Sequence, residues 1–317
     1  MLDSFSRDIT YMRISVTEQC NLSCRYCKAT EDACEKASEE YLTDGEIITA
    51  VQAAASLGIT KLRFTGGEPL LRQSIVSVCR RASQVPGIQE VCLTTNGTLL
   101  PKLAKPLREA GVSRVNISLD TLNPNKYHYI THCDEFQKTV DGIRAALDTG
   151  FKKVKLNSVL IKGFNDDEIR DLAELTMSYP LDLRFIELMP MDSSESFRPE
   201  SFIPCSAVLD RLPELEAVEP DGGVAKLYRL PGSMGHVGLI SPLSAHFCAS
   251  CNRIRLTADG KIKPCLHSPE EYSVKGLDYG GVVDALRQSI LCKPPWHGVL
   301  DARNRSRAGR SMNRIGG

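Results

Sequence analysis

Between residues 10 and 190 the chain alternates short β-rich runs with longer amphipathic stretches, and this alternation limits the fold more than any other feature. Strands are expected at MRISV (12–16), KLRFT (61–65), VCLTT (91–95), RVNISLD (114–120), KVKLNSVLI (153–161) and DLRFIELM (182–189). Helices are expected near 43–57, 72–84, 99–110, 134–149 and 166–178. Thr43 with Glu46 three residues on forms a capping box at the head of the first. Gly111 and Gly150 stand just past the ends of the third and fourth. Strands joined by crossover helices build a parallel sheet. Six units rather than eight predict an α/β fold, an incomplete (β/α)6 TIM-like barrel with a gap for a large substrate or a second module. Past residue 190 the polar run MDSSESFRPESF and a weaker periodicity mark a change of character. The expected division is a partial barrel over 1–190 and a C-terminal module over 191–317 that closes the barrel mouth.

The chemistry is concentrated in cysteine. Cys20, Cys24 and Cys27 lie in CNLSCRYC, a C-x3-C-x2-C spacing with no fourth cysteine close by. A 4Fe–4S cluster commonly takes four thiolates, so three leave one iron open to a ligand that is not protein. This arrangement resembles the radical S-adenosylmethionine (SAM) superfamily, in which the amino and carboxylate groups of SAM chelate that iron. Reductive cleavage of the sulfonium then yields a 5'-deoxyadenosyl radical. Structural zinc is the rival reading, but it prefers four N or S ligands, often in paired knuckles. The triad follows the first strand and so falls at a strand's C-terminal end, where α/β enzymes place their chemistry. The aromatic Tyr26 immediately precedes the last cysteine, a position that in the superfamily lies against SAM.

TGGEP (65–69) follows the second strand. Its glycines let the backbone approach a ligand closely, and the Glu68 carboxylate suits a cationic amine, which in the superfamily is the amino group of SAM. TTNG (94–97) and NISLD (116–120) also stand at strand ends, with Ser118 and Asp120 placed to bond sugar hydroxyls. Each of these polar residues could equally serve as a helix N-cap.

A second triad, Cys248, Cys251 and Cys265, lies in FCASCNRIRLTADGKIKPCLH. Its C-x2-C-x13-C spacing again supplies three ligands, so two clusters are expected. A zinc knuckle completed by His246 or His267 is the alternative. The remaining six of the twelve cysteines (34, 79, 92, 133, 205 and 292) show no ligand spacing, and most of them are expected as buried thiols.

Charge excludes some partners. Lys plus Arg and Asp plus Glu both number 39, so no global field draws the chain to nucleic acid or to an acidic membrane. No signal peptide or long apolar run is present, and the cysteines read as metal ligands of a reducing, cytoplasmic interior. Cations nevertheless recur on the expected strands: Arg13, Lys61, Arg63, Lys155 and Arg184, with Arg253 and Arg255 between the later cysteines. Barrel interiors are normally apolar, so these cations need an internal anion. Guanidinium forks suit phosphate oxygens, and a triphosphate would balance several of them.

The chain resembles the radical SAM GTP 3',8-cyclase family, the first enzymes of molybdenum-cofactor biosynthesis, over essentially its full length. The residues responsible are RISVTEQCNLSCRYC, RFTGGEPLLR, LTTNG, RVNISLD, KGFNDDE, RFIELMPM, FCASCNRIRLTADGKIKPCL and the terminal RIGG. The resemblance implies that Cys20, Cys24 and Cys27 hold a cluster that cleaves SAM. A second cluster on Cys248, Cys251 and Cys265 would bind the guanine of GTP. It further implies SAM contacts at Tyr26, Gly67, Ser118 and Met189, and GTP contacts at Arg13, Arg63, Thr94, Lys155, Arg253 and Arg255, with Lys61 and Arg184 as further cations. The radical would remove the ribose 3' hydrogen, and the sugar radical would attack C8 of the purine. The Gly316–Gly317 tail would reach into the site and assist. A flavodoxin- or ferredoxin-like reductant, a downstream cyclic pyranopterin monophosphate synthase and a homodimer are implied as partners. TEQC where TDRC is usual, Lys28 in place of a frequent methionine and a short 31–42 loop depart from the family pattern without touching a matched ligand. Two rivals remain open: a radical SAM peptide-modifying enzyme, and a non-catalytic iron–sulfur redox protein.

Overall fold

The computed structural model describes residues 1–27, 40–191, 198–219, 221–301 and 303–316. Lys28, Cys34, most of the 31–42 loop and Gly317, all singled out above, lie outside the described residues.

The six expected strands are β1 (Tyr11–Ser15), β2 (Lys61–Thr65), β3 (Glu90–Thr95), β4 (Val112–Ser118), β5 (Lys153–Leu160) and β6 (Leu181–Glu187). Each pairs in parallel with the next. The crossovers carry α1 (Asp44–Ser56), α2 (Ile75–Ser83), α3 (Leu100–Glu109), α4 (Pro124–Thr131), α5 (Phe136–Asp148) and α6 (Ile169–Ser178). Thr43 and Glu46 form both halves of the capping box on α1. Gly111 and Gly150 take φ of 93° and 73° just past α3 and α5, a conformation that side chains with a Cβ rarely adopt. The chain breaks one expectation here: α4 falls where no helix was predicted. Its eight residues hold too few turns to show a period, and Asn123 caps it by accepting from the amides of Asn125 and Lys126.

The later residues build α7 (Ala207–Arg211), β7 (Glu216–Ala217), β8 (Lys226–Arg229), β9 (Val237–Ile240), β10 (Arg253–Leu256), β11 (Lys261–Lys263), β12 (Tyr272–Ser273), α8 (Tyr279–Leu291) and α9 (Met312–Ile315). They extend the first sheet instead of forming one of their own. β10 adds in parallel to β1, and β9 adds in parallel to β6. The strand order is β12-β11-β10-β1-β2-β3-β4-β5-β6-β9-β8-β7. The outer pairs are antiparallel, and β12 and β7 do not meet, so the barrel stays open. One apolar core lies between sheet and helices, with Met12, Ile14, Leu62, Phe64, Leu93, Leu156 and Phe185 fully or almost fully buried. Among the described residues no helix is long and apolar enough to cross a membrane.

Candidate active site

A cavity of ≈ 440 Å³ is lined by side chains of β1 to β6 and β10, and both cysteine triads line it. Every other candidate contact lines it too: Tyr26, Gly67, Ser118 and Met189 for SAM, and Arg13, Lys61, Arg63, Thr94, Lys155, Arg184, Arg253 and Arg255 for GTP. The sheet register explains the convergence of cations. Arg13 on β1 stands opposite Arg63 on β2 and Arg255 on β10, so three guanidinium groups point to one side of three adjacent strands. Burial pulls the Arg255 pKa down to about 10 and that of Lys155 to about 8, because a cation out of water loses hydration. A floor of this kind fits a polyanion.

The cations are not equally available. Arg63 donates from Nε to the Tyr11 hydroxyl at 2.6 Å, and from Nη1 to Leu93 O at 2.9 Å and Thr94 Oγ1 at 3.3 Å. Thr94 is thus already a partner of Arg63. Lys61 pairs with Glu90 and sits over the Tyr11 ring. Arg255 donates from Nη1 to the carbonyl of Gly316, which places the last described residue of the tail against a cation that lines the cavity. A Cβ on Gly316 would collide with Thr65 Oγ1, so the path admits only glycine at its φ of 80°.

The first triad sits on a loop pinned from three sides. Gly67 N donates to Thr17 O at 2.8 Å and Glu68 N to Gln19 O at 2.7 Å. From the end of α4, Ile130 O and Thr131 O accept from Arg25 N and Ser23 N at 3.0 and 2.9 Å. Asn96 Nδ2 donates to Asn21 Oδ1 at 2.8 Å. A Cβ on Gly67 would overlap the carbonyls of Gln19 and Glu18, so this glycine serves the cysteine loop as well as any ligand.

One reading of a strand-end carboxylate needs correction. Glu68 does not point into the cavity. Its Oε1 accepts from Leu70 N and Thr95 Oγ1, and its Oε2 from Asn96 N, so it ties the end of β2 to the end of β3. Burial still raises its pKa to about 7, against those bonds. Asp120 does line the cavity, but it accepts from the Tyr26 hydroxyl at 2.6 Å and from Val159 N at 2.8 Å. It therefore holds the aromatic ring beside the first triad.

The second triad is held by residues that no motif marked. Arg7 reaches from the N-terminus to donate to Cys248 O at 2.9 Å and Pro294 O at 2.8 Å. Lys293, itself 3 % exposed, donates to Arg253 O and Pro264 O at 2.8 and 2.7 Å and so ties β10 to the Cys265 loop. Burial pushes the Cys251 thiol up, but Arg253 and Lys293 outweigh it and bring it down to about 6, which favours a thiolate ligand. Among the described residues no three His, Cys, Asp or Glu side chains converge on a single ion. A cubane places each thiolate on a different iron, so its ligands need not converge in that way. Three cysteines per triad on one cavity, with no disulfide among the described cysteines, fit such clusters. Of the other thiols, Cys79, Cys92 and Cys205 are buried as expected, Cys133 is half-buried and Cys292 is exposed.

Asn116, which opens the NISLD motif, and Asn157, which no motif marked, also line the cavity. Their buried Oδ1 atoms have no hydrogen-bond partner among the described residues. Acceptors so placed suit a ligand's amino or hydroxyl groups.

Family models match the two parts of the chain, the radical SAM superfamily over residues 14–176 and Molybdenum Cofactor Synthesis C over residues 181–295. A GTP 3',8-cyclase from Alkaliphilus oremlandii is 46% identical over 321 residues, with all of both chains covered. One from Pelotomaculum thermopropionicum is 45% identical, again covering 100% of each chain. Among solved structures, Streptococcus suis SuiB bound to S-adenosylmethionine superposes with a TM-score of 0.67 at 14% identity, covering 88% of this chain and 65% of that one. A histidine-tagged anSMEcpe with bound AdoMet does so at 0.60 and 15%, covering 92% and 79%. These two likenesses show the fold: an α/β radical SAM architecture with an open, mostly parallel sheet. The chain belongs to the GTP 3',8-cyclase family of radical SAM enzymes.

Proposed function

We propose that the protein converts GTP to 3',8-cyclo-7,8-dihydro-GTP, the first step of molybdenum-cofactor biosynthesis. The observation that carries this reading is a single cavity with a cysteine triad on each side and a floor of strand-borne cations. As a radical SAM enzyme the chain uses SAM with an iron–sulfur cluster. When bound, that cluster supplies the electron that releases the 5'-deoxyadenosyl radical. Cys20, Cys24 and Cys27 would hold it, and Cys248, Cys251 and Cys265 would hold a second. Residues 191–317 would then be the module that brings the second triad to the barrel mouth.

The chain's own groups bind and orient. Tyr26, fixed by Asp120, would present its ring to SAM together with Gly67, Ser118 and Met189. Arg13, Arg63, Lys155, Arg253 and Arg255 would neutralise the triphosphate, with Thr94 beside Arg63 and with Lys61 and Arg184 behind. Positioning is the main task, since a radical needs its target hydrogen within contact distance and no water between. A flavodoxin- or ferredoxin-like reductant, a downstream cyclic pyranopterin monophosphate synthase, a homodimeric state and a cytoplasmic location complete the reading.

The test is anaerobic incubation of the reconstituted protein with SAM, dithionite and GTP, followed by mass spectrometry. The expected result is 5'-deoxyadenosine together with a cyclised guanine nucleotide, both dependent on GTP. Deoxyadenosine without the nucleotide would return the substrate to question. Absence of both, with iron and sulfide confirmed, would favour a non-catalytic redox protein.

A further inference from the structure

Three acidic residues line the cavity among those described: Asp120, Glu187 and Asp221. Two are committed elsewhere. Asp120 holds Tyr26 and Val159 N, while Glu187 accepts from the amides of Cys205, Leu243 and Ser244. Asp221 is the one among them that pairs with cations of the floor. Its Oδ2 stands 3.1 Å from Lys155 Nζ and 4.0 Å from Arg184 Nη2.

Its setting differs from that of an ordinary structural ion pair. Lys155 is only 3% exposed and already has a deep partner in Asp182 at 3.4 Å, which Lys153 and His236 also share. Asp221 approaches from the cavity side, with its side chain 27% exposed. Among the described residues its loop contributes no strand, and its Oδ1 accepts from Gly223 N within its own turn. Gly222 follows at a φ of 73°, with nothing within 4 Å of where a Cβ would stand. The carboxylate thus sits in a glycine-containing turn, partly exposed, and beyond that turn its ion pairs with Lys155 and Arg184 hold it to the cavity wall. A phosphate chain bound to Lys155 and Arg184 would meet it as a like charge at contact distance, which weakens binding for as long as the carboxylate stays there.

We propose that Asp221 is a displaceable counter-anion: it neutralises Lys155 and Arg184 until a nucleotide's phosphate chain takes those cations and expels it. The inference rests on the reading of this cavity as a GTP site. Part of the binding energy is therefore spent on displacing a tethered carboxylate, which raises the barrier against weak anions and favours a polyphosphate.

The test measures GTP and guanosine binding to the anaerobically reconstituted protein by equilibrium dialysis. Asp221→Asn keeps the shape and removes the charge. It should tighten GTP by roughly five- to tenfold and leave guanosine, which has no phosphate, unchanged. In a Lys155→Met background most of that gain should vanish, because the two residues act on one another. Asp221→Glu should restore wild-type affinity. Wild-type binding with an unchanged or weakened Asp221→Asn variant overturns the proposal, as does full tightening in the Lys155→Met background. No GTP binding by wild type overturns the functional reading itself, and this proposal with it.

Discussion

Lys155 shows how one buried side chain ties pH to function. Burial draws its pKa down to about 8, with Arg184 adding to the fall and Asp221 and Asp182 opposing it. Phosphate binding needs the protonated form, so GTP affinity should weaken as pH rises from about 8. Binding titrations up to about pH 10 on wild type and Lys155→Arg would check this, since arginine stays charged throughout and should flatten the profile. A flat wild-type profile would mean that Lys155 does not meet the nucleotide. Gly67 makes a second case. A methyl there drives into the carbonyls of Glu18 and Gln19, so Gly67→Ala should cost about 1–3 kcal/mol and displace the cysteine loop. Thermal melting and iron content after reconstitution would both fall; retention of full iron would show that the loop yields. The motif glycine was legible in the sequence, but its second task, accommodating another loop's backbone, was not.

Among the elements, the strands were the most legible, because β-branched runs at even spacing carry their own signal. α4 was not, and it matters, since its terminal carbonyls hold the amides of Ser23 and Arg25 in the first cysteine loop. Likewise β9 and β10, four residues each, are too short to show alternation, yet they complete the walls of the cavity. Helix α5 locks against the strand-end turn TTNG through Gly142, where a Cβ would strike the carbonyl of Gly97. Gly142→Ala should therefore lower stability by about 1–3 kcal/mol, although alanine is the better helix former. Chemical denaturation measures this directly, and an unchanged or raised midpoint would refute the close approach.

Across the molecule, distant segments are bound by a half-buried charge network. Arg310, near the C-terminus, pairs with Asp259 at 2.9 Å and Glu271 at 2.6 Å, and Lys263 adds a second cation to Glu271 at 3.0 Å. Arg314 and Arg310 also reach Glu18, two residues before Cys20. Burial alone would raise the Asp259 and Glu271 carboxyls, but Arg310 reverses this and both titrate below their ordinary values. Carboxyls held low stabilise the fold above their unfolded pKa, and that contribution is lost as pH falls below about 4. Arg310→Met should cost about 2 kcal/mol at neutral pH and flatten the acid slope of stability. Melts between about pH 3 and 7 read both effects; an unaltered slope would show that the carboxyls find other partners.

Local sequence was enough to specify the cysteine triads, the β/α order and the strand-borne cations. Spacing and periodicity are short-range properties, and each of these features lies within about twenty residues or one repeat. Which cations face each other, which carboxylates are already spent on amides and hydroxyls, and which acid opposes the floor are questions of register and burial. Glu68 reads as a ligand in sequence because nothing local reveals Asn96 N and the Thr95 hydroxyl waiting across the strand ends. Asp221 drew no notice, because Lys155 is 66 positions away and meets it only once β5 and the loop after β7 share a cavity. Those pairings arise from long-range packing, and only the folded chain decides them.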